Sequence, residues 1–275
     1  MNPDVAAGGH PNISTGKSGD KFGVPWGEAE ALYGEAASLP GIKAVGVDVH
    51  IGSQIGDLAP MRAAFEKVVG LALRLREQGH AIRRIDVGGG LGIAYKEGDA
   101  PAPPSAYAAM ISEVTAGHGF EVILEPGRVI AGNAGVLLTT ALYEKQAPDR
   151  TFLIIDAGMN DLIRPALYGA HHDIVPLAEP APGQAQKTYD VVGPICESTD
   201  KFACGRMLAE VSAGDRLAFM SAGAYGAVLS STYNARPLVP EVLVDGDRFE
   251  IVRRRPSFEE SVGLEKVPEW LTTVA

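Results

Sequence analysis

Cys196 is one of two cysteines in this 275-residue chain, and it lies in G-P-I-C-E-S-T-D-K-F, residues 193–202, directly after a Gly-Pro turn. A thiol titrates close enough to neutrality to donate a proton, which gives this placement one chemical reading; a small buried residue in a turn is the other. Gly88, Gly89 and Gly90 form a second cluster. Consecutive glycines let backbone N–H groups approach a phosphate at a helix start, and they equally serve a tight strand-to-helix turn. His50 and Ser53 stand in H-I-G-S-Q, where the imidazole can stack on a ring and the hydroxyl can bind the same phosphate, or where both are structural. In E-P-G-R, residues 125–128, Glu125 can accept from a protonated heterocyclic nitrogen and Arg128 can clamp a carboxylate, or the two brace the turn. Arg164 and Tyr168 share R-P-A-L-Y at i, i+4 spacing if helical, and Tyr225 sits among small residues in A-G-A-Y-G-A.

Stepping outward to the elements, I-K-A-V-G-V-D-V-H-I at 42–51 is rich in β-branched residues and predicts a strand. The following stretch has helical periodicity, with Phe65, Val68, Val69, Ala72 and Leu75 on one face and Gly79 suited to the position past the helix end. A strand over Ile82–Val87, a helix over about Ser105–Gly117 and a strand over Glu121–Glu125 complete a parallel α/β unit. Each strand ends in one of the first-half clusters, H-I-G-S-Q, G-G-G-L-G or E-P-G-R. Chemistry at successive strand carboxyl ends favours a (β/α) barrel over an open sheet. After about Asn133 short apolar runs alternate with Gly, Pro and Asp, and E-V-L-V-D-G-D-R-F-E-I-V carries an Asp-Gly hairpin signal. Residues 1–133 are therefore expected to form barrel and 134–275 a β domain, with an exposed Pro/Ala/Gly loop at 179–186.

Net charge is −10 with acidic and basic residues intermixed, which argues against nucleic-acid and anionic-membrane surfaces and favours small-molecule chemistry. No apolar run reaches the roughly 18 residues of a membrane span, and the first residues lack an export-signal pattern; a soluble, cytoplasmic protein is expected. Two cysteines with seven residues between them give no metal-ligand spacing and no disulfide framework, so free thiols and no metal are expected.

Taken in order, H-I-G-S-Q, G-G-G-L-G, E-P-G-R, R-P-A-L-Y, G-P-I-C-E-S and A-G-A-Y-G-A closely resemble the fold-type III pyridoxal-phosphate decarboxylases, and within them the branch acting on meso-diaminopimelate. The resemblance runs from Asn2 to about Leu264. It implies an alanine racemase-type, TIM-like (β/α)8 barrel followed by a C-terminal β domain, in homodimers with sites at the interface. It implies His50 stacking on pyridoxal 5'-phosphate, with Ser53, Gly88, Gly89, Gly90 and the backbone of Glu125, Pro126, Gly127 and Arg128 holding the phosphate. Glu125 would face the pyridine nitrogen, and Tyr225, in a stretch 222–236 that returns to the cofactor, would complete that site. Cys196 would return a proton after decarboxylation at the partner subunit's cofactor. Glu197 would hold the distal ammonium of the substrate, and Arg128, Arg164 and Tyr168 its distal carboxylate. The implied reaction yields L-lysine and carbon dioxide, the last step of lysine biosynthesis. Cys204 has no matching role.

One family motif is missing. The Schiff-base lysine of the family lies on the first barrel strand, in a context that none of the nine lysines here reproduces. The expectation is a partial barrel, an N-terminally truncated family member lacking about four strands. Ornithine, arginine or carboxynorspermidine decarboxylation suits the combination Arg128, Arg164 and Glu197 less well, and a racemase would carry tyrosine at position 196. A catalytically silent cofactor-binding or dimerisation fragment is the alternative of a different class.

Overall fold

The structure, a computed structural model, describes residues 1–8, 15–17 and 19–272. The chain divides into two compact units, Met1–Gly135 and Val136–Ala275. Each has its own cluster of buried apolar side chains.

In the first unit, helix α1 (Ala29–Ser38) precedes strand β1 (Gly46–Asp48). Helix α2 (Leu58–Glu77), strand β2 (Arg84–Asp86), helix α3 (Pro104–Thr115) and strand β3 (Glu121–Ile123) follow in alternation. β1, β2 and β3 pair in parallel and in that order. The strands are shorter than the apolar runs that predicted them, because flanking residues bond across the sheet singly: Val49 N–H donates to Asp86 O and Val87 N–H to Ile123 O.

Helix α2 starts where the Asp57 carboxylate accepts from Ala59 N–H, which satisfies an otherwise unpaired amide of the first turn. Its buried face contains the expected Phe65, Val68, Val69, Ala72 and Leu75, joined by Met61, Ala64 and Leu71. Each large apolar side chain sequestered this way contributes about 1.5–3 kcal/mol. Helix α1 escapes a reading by periodicity because Ala29 is its one buried residue.

The short helix α4 (Arg128–Ala131) closes the first unit. The second is mainly β. Its main sheet has the order β6-β9-β4-β5-β7-β8. These strands are β4 (Leu137–Gln146), β5 (Thr151–Ile155), β6 (Ile174–Pro176), β7 (Gln186–Val192), β8 (Lys201–Ala209) and β9 (Arg216–Phe219). Only β5 and β7 pair in parallel. Helix α5 (Arg164–Tyr168) lies between β5 and β6 and ends at Gly169, whose positive φ of 61° makes the left-handed cap. Strands β10 (Glu241–Asp245) and β11 (Arg248–Arg253) form the separate hairpin announced by Asp-Gly, with Gly246 at φ 63°. Helices α6 (Phe258–Val262) and α7 (Glu269–Thr272) follow it. No helix among the described residues is long and apolar enough to cross a membrane.

Candidate active site

In the first unit, the carboxyl ends of β1, β2 and β3 bring the three expected clusters together. Gly89 N–H donates to His50 Nδ1 at 3.2 Å, and Glu125 N–H donates to Gly88 O at 2.8 Å. Gly88 and Gly90 hold positive φ values of 65° and 97°. A Cβ at Gly88 would press on Val49 O, at Gly89 on Glu125 O and at Gly90 on Gly52 O. The run is thus a surface without side chains, wedged between the loops after β1 and β3. Close approach explains the glycines better than turn flexibility alone.

Arg128 is buried at the start of α4. Its Nη2 donates to Ser53 Oγ at 3.1 Å and its Nη1 to the Tyr95 hydroxyl. Ser53 and Arg128 are therefore one bonded group although 75 residues apart. Tyr95 was not foreseen; nothing in its local I-A-Y-K-E context distinguishes it from a packing residue. Carboxylate oxygens of Asp48, Asp86 and Glu125 lie within 4.8 Å of one another at the same strand ends. Burial pushes the Asp48 carboxyl up, and the negative charge of Asp86 adds to this.

These residues fit a phosphate-bearing aromatic cofactor. The glycine run offers close backbone approach, the His50 ring stands beside it, and Glu125 belongs to an acceptor cluster suited to a protonated ring nitrogen.

The remaining expected residues lie in the second unit. Arg164, buried on α5, donates through Nη1 to His172 Nε2 at 2.8 Å. Tyr168 ends the same helix, so helical spacing is the alternative realised. Cys196 and Glu197 are exposed in the β7–β8 turn, and both cysteines are free. The reading of Cys196 as a small buried turn residue is thereby overturned: Ile195, with relative exposure of 7%, takes the inward position instead. Asp200 braces the turn from beneath. Its carboxylate accepts from Ile195 N–H and Met159 N–H, each at 2.7 Å. Tyr225 is exposed and left-handed, with φ 59°.

An arc of parallel βα units whose strand ends form a phosphate-type cradle, joined in one chain to a β domain, defines the class: cofactor-binding barrel enzymes with an appended β domain. Residues 1–132 match the family "Pyridoxal-dependent decarboxylase, pyridoxal binding domain". Over these residues the chain matches the pyridoxal-binding domain of those decarboxylases, and the parallel βα order of its first unit is consistent with part of a TIM-like barrel. The chain is 46% identical over 275 residues to a diaminopimelate decarboxylase of Zymomonas mobilis subsp. mobilis, covering 98% of this chain and 64% of that protein. A diaminopimelate decarboxylase of Pseudomonas aeruginosa is 48% identical over 260 residues, covering 94% and 62% respectively. The crystal structure of diaminopimelate decarboxylase from Helicobacter pylori complexed with L-lysine matches with a TM-score of 0.90 and 39% identity, over 96% of this chain and 65% of that one. The chain thus spans less than two thirds of the length of these relatives.

Proposed function

We propose that this chain is the larger part of a diaminopimelate decarboxylase, which converts meso-2,6-diaminopimelate to L-lysine and carbon dioxide. The observation that carries this reading is the meeting of His50, the glycine run and Glu125 at three adjacent strand ends, in a chain that matches diaminopimelate decarboxylases almost end to end. Bound there, pyridoxal phosphate supplies a sink for the electron pair left on carbon when the carboxylate departs.

The chain's own residues do the rest. His50 supports the ring from one face. Ser53, Gly88, Gly89, Gly90 and the backbone of Pro126, Gly127 and Arg128 hold the phosphate, with Tyr225 as a further cofactor ligand. Glu125 accepts from the ring nitrogen and keeps it protonated. Arg128, Arg164 and Tyr168 read the distal carboxylate of the substrate, and Glu197 its distal ammonium. A substrate carrying both charges at its far end requires readers of both signs. Cys196 returns the proton to the decarboxylated carbon, in a homodimer where it serves the partner's site.

We assign the lysine that links to the cofactor to none of the nine lysines of this chain. Two of them are engaged elsewhere: Lys67 Nζ donates to Pro3 O at 2.7 Å and Lys187 pairs with Glu144 at 2.5 Å.

The test joins this chain to the N-terminal region of the Zymomonas relative and measures carbon dioxide release from meso-diaminopimelate. Borohydride reduction and peptide mass mapping then locate the cofactor adduct. Release by the joined protein and none by the chain alone is the expected result. Turnover of ornithine or arginine in preference to diaminopimelate, or no turnover at all, would overturn the assignment.

A further inference from the structure

The exposed pair Cys196–Glu197 is met by a second loop, at the end of the 222–236 stretch. Residues 231–236, S-T-Y-N-A-R, follow the A-G-A-Y-G-A stretch. The Tyr233 hydroxyl donates to Glu197 Oε2 at 2.8 Å, and Asn234 Nδ2 donates to Cys196 Sγ at 3.4 Å. Two neighbours in one loop thus address two neighbours in another, one contact each.

The backbone that makes this possible is unusual. Asn234 and Ala235 both have positive φ, 56° and 55°. Asparagine tolerates the left-handed region better than most residues, but alanine does not, so the loop must be held in place from outside. Arg236 does so: its Nε donates to Asn160 Oδ1 at 3.0 Å and its Nη2 to Asp156 O at 2.6 Å. Ser231 N–H also donates to Asn160 O at 2.9 Å. Asn160 is itself buried. The opposite loop is equally fixed, by the buried Asp200 carboxylate and by Gly193 N–H donating to Asp200 O at 3.1 Å. Strain is kept at a position where side chains are aimed, and both aiming loops are braced by buried polar groups.

We propose that Tyr233 and Asn234 are positioning residues for the Cys196–Glu197 pair, Asn234 by donating to the sulfur and Tyr233 by orienting the carboxylate. This rests on the role given to Cys196 above and deepens it. When the thiol gives its proton to the decarboxylated carbon, the S–H bond breaks and its electron pair stays on sulfur. The carbon's pair forms the new C–H bond. An amide N–H already facing the sulfur stabilises the resulting thiolate, because a hydrogen bond to a charged acceptor is stronger than one to its neutral form. The Tyr233 hydroxyl, together with the Thr199 hydroxyl on the other oxygen, fixes the Glu197 carboxylate and keeps it ionised; hydrogen bonds from Thr199 and then Tyr233 hold that carboxyl below the usual range.

The chain as it stands allows a test without cofactor or substrate. Trypsin cleaves after Lys187, Lys201 and Arg206, which puts Cys196 and Cys204 on separate peptides, so mass spectrometry reads the alkylation of each by iodoacetamide independently. Asn234→Gly keeps the left-handed backbone and removes the amide; Asn234→Asp keeps the shape and removes the donor. Both variants are expected to alkylate Cys196 at least about threefold more slowly at neutral pH, with the pH profile displaced upward and Cys204 unchanged. Tyr233→Phe is expected to move the Glu197 carboxyl titration upward in carbon-13 spectra. Wild-type Cys196 kinetics in both Asn234 variants, or a change shared equally by Cys204, would overturn the proposal. Failure of the joined protein to decarboxylate diaminopimelate would sink the enzymatic assignment and leave these readouts standing, so the two failures are distinguishable.

Discussion

Arg164 owes its orientation to one tautomer. His172 Nδ1 lies 2.8 Å from Met220 O, so that nitrogen carries the proton and Nε2 is left to accept from Arg164. Nitrogen-15 spectra at neutral pH are expected to show the Nδ1–H form of His172; the Nε2–H form would contradict the arrangement. Asp200 gives a pH-dependent counterpart. Burial raises its carboxyl above the ordinary aspartate value. The folded chain therefore binds that proton more tightly than the unfolded chain. The contribution to stability is full below the unfolded value and is lost as pH rises through the raised folded one. The urea midpoint of the wild type is expected to fall relative to Asp200→Asn as pH rises above the ordinary aspartate value. A constant difference would refute this. At this scale the sequence reveals residues that share a cluster, such as Cys196 with Glu197 or Gly88 with Gly90. It hides residues that meet from separate clusters: Asn234 reaches Cys196 across 38 positions, and Tyr95 reaches Arg128 across 33.

Among the elements, α2 is the most legible, because its buried face repeats at helical spacing over 20 residues. Phe65→Ala on that face should cost about 3–5 kcal/mol, read from the urea midpoint, since the cavity opens beneath a fully packed helix. The neighbouring α3 supplies an opposite case. The Tyr107 hydroxyl is buried with no hydrogen-bond partner among the described residues, and burial, with Asp86 nearby, pushes its phenol up to about 12. Tyr107→Phe removes that stranded hydroxyl and is expected to stabilise the chain by about 1 kcal/mol; a loss of the same size would indicate a partner for the hydroxyl. Strands are less legible than helices here. β1, β2 and β3 have three residues each, so no alternation develops in them. β8 carries no continuous apolar run, because Gly205 and Arg206 interrupt it.

For the whole molecule, the texture of the sequence changes near Asn133, where crossover helices vanish, and the two compact units meet in sequence at Gly135 and Val136. What surrounds the hairpin has no such mark in the sequence. Val242, Val244, Phe249 and Ile251 are exposed together on one face of β10 and β11, where Val242 pairs with Ile251 and Val244 with Phe249. An apolar patch of this kind promotes association, while a net charge of −10 opposes it and is screened by salt. Sedimentation velocity should show concentration-dependent association that strengthens with salt and weakens in Val244→Lys/Phe249→Lys; association that weakens with salt would point to charge pairing instead. The glycine run has the opposite character, because nothing can be added to it. Any replacement codon at Gly88, Gly89 or Gly90 introduces a Cβ, and at each position that carbon meets a backbone oxygen of a neighbouring loop. Backbone cannot be exchanged for a smaller group as a side chain can. In a saturation library of this chain, substitutions at these three sites should be the least correctable by second-site changes, and a lineage drifting freely over the helix surfaces would find no neutral path through them.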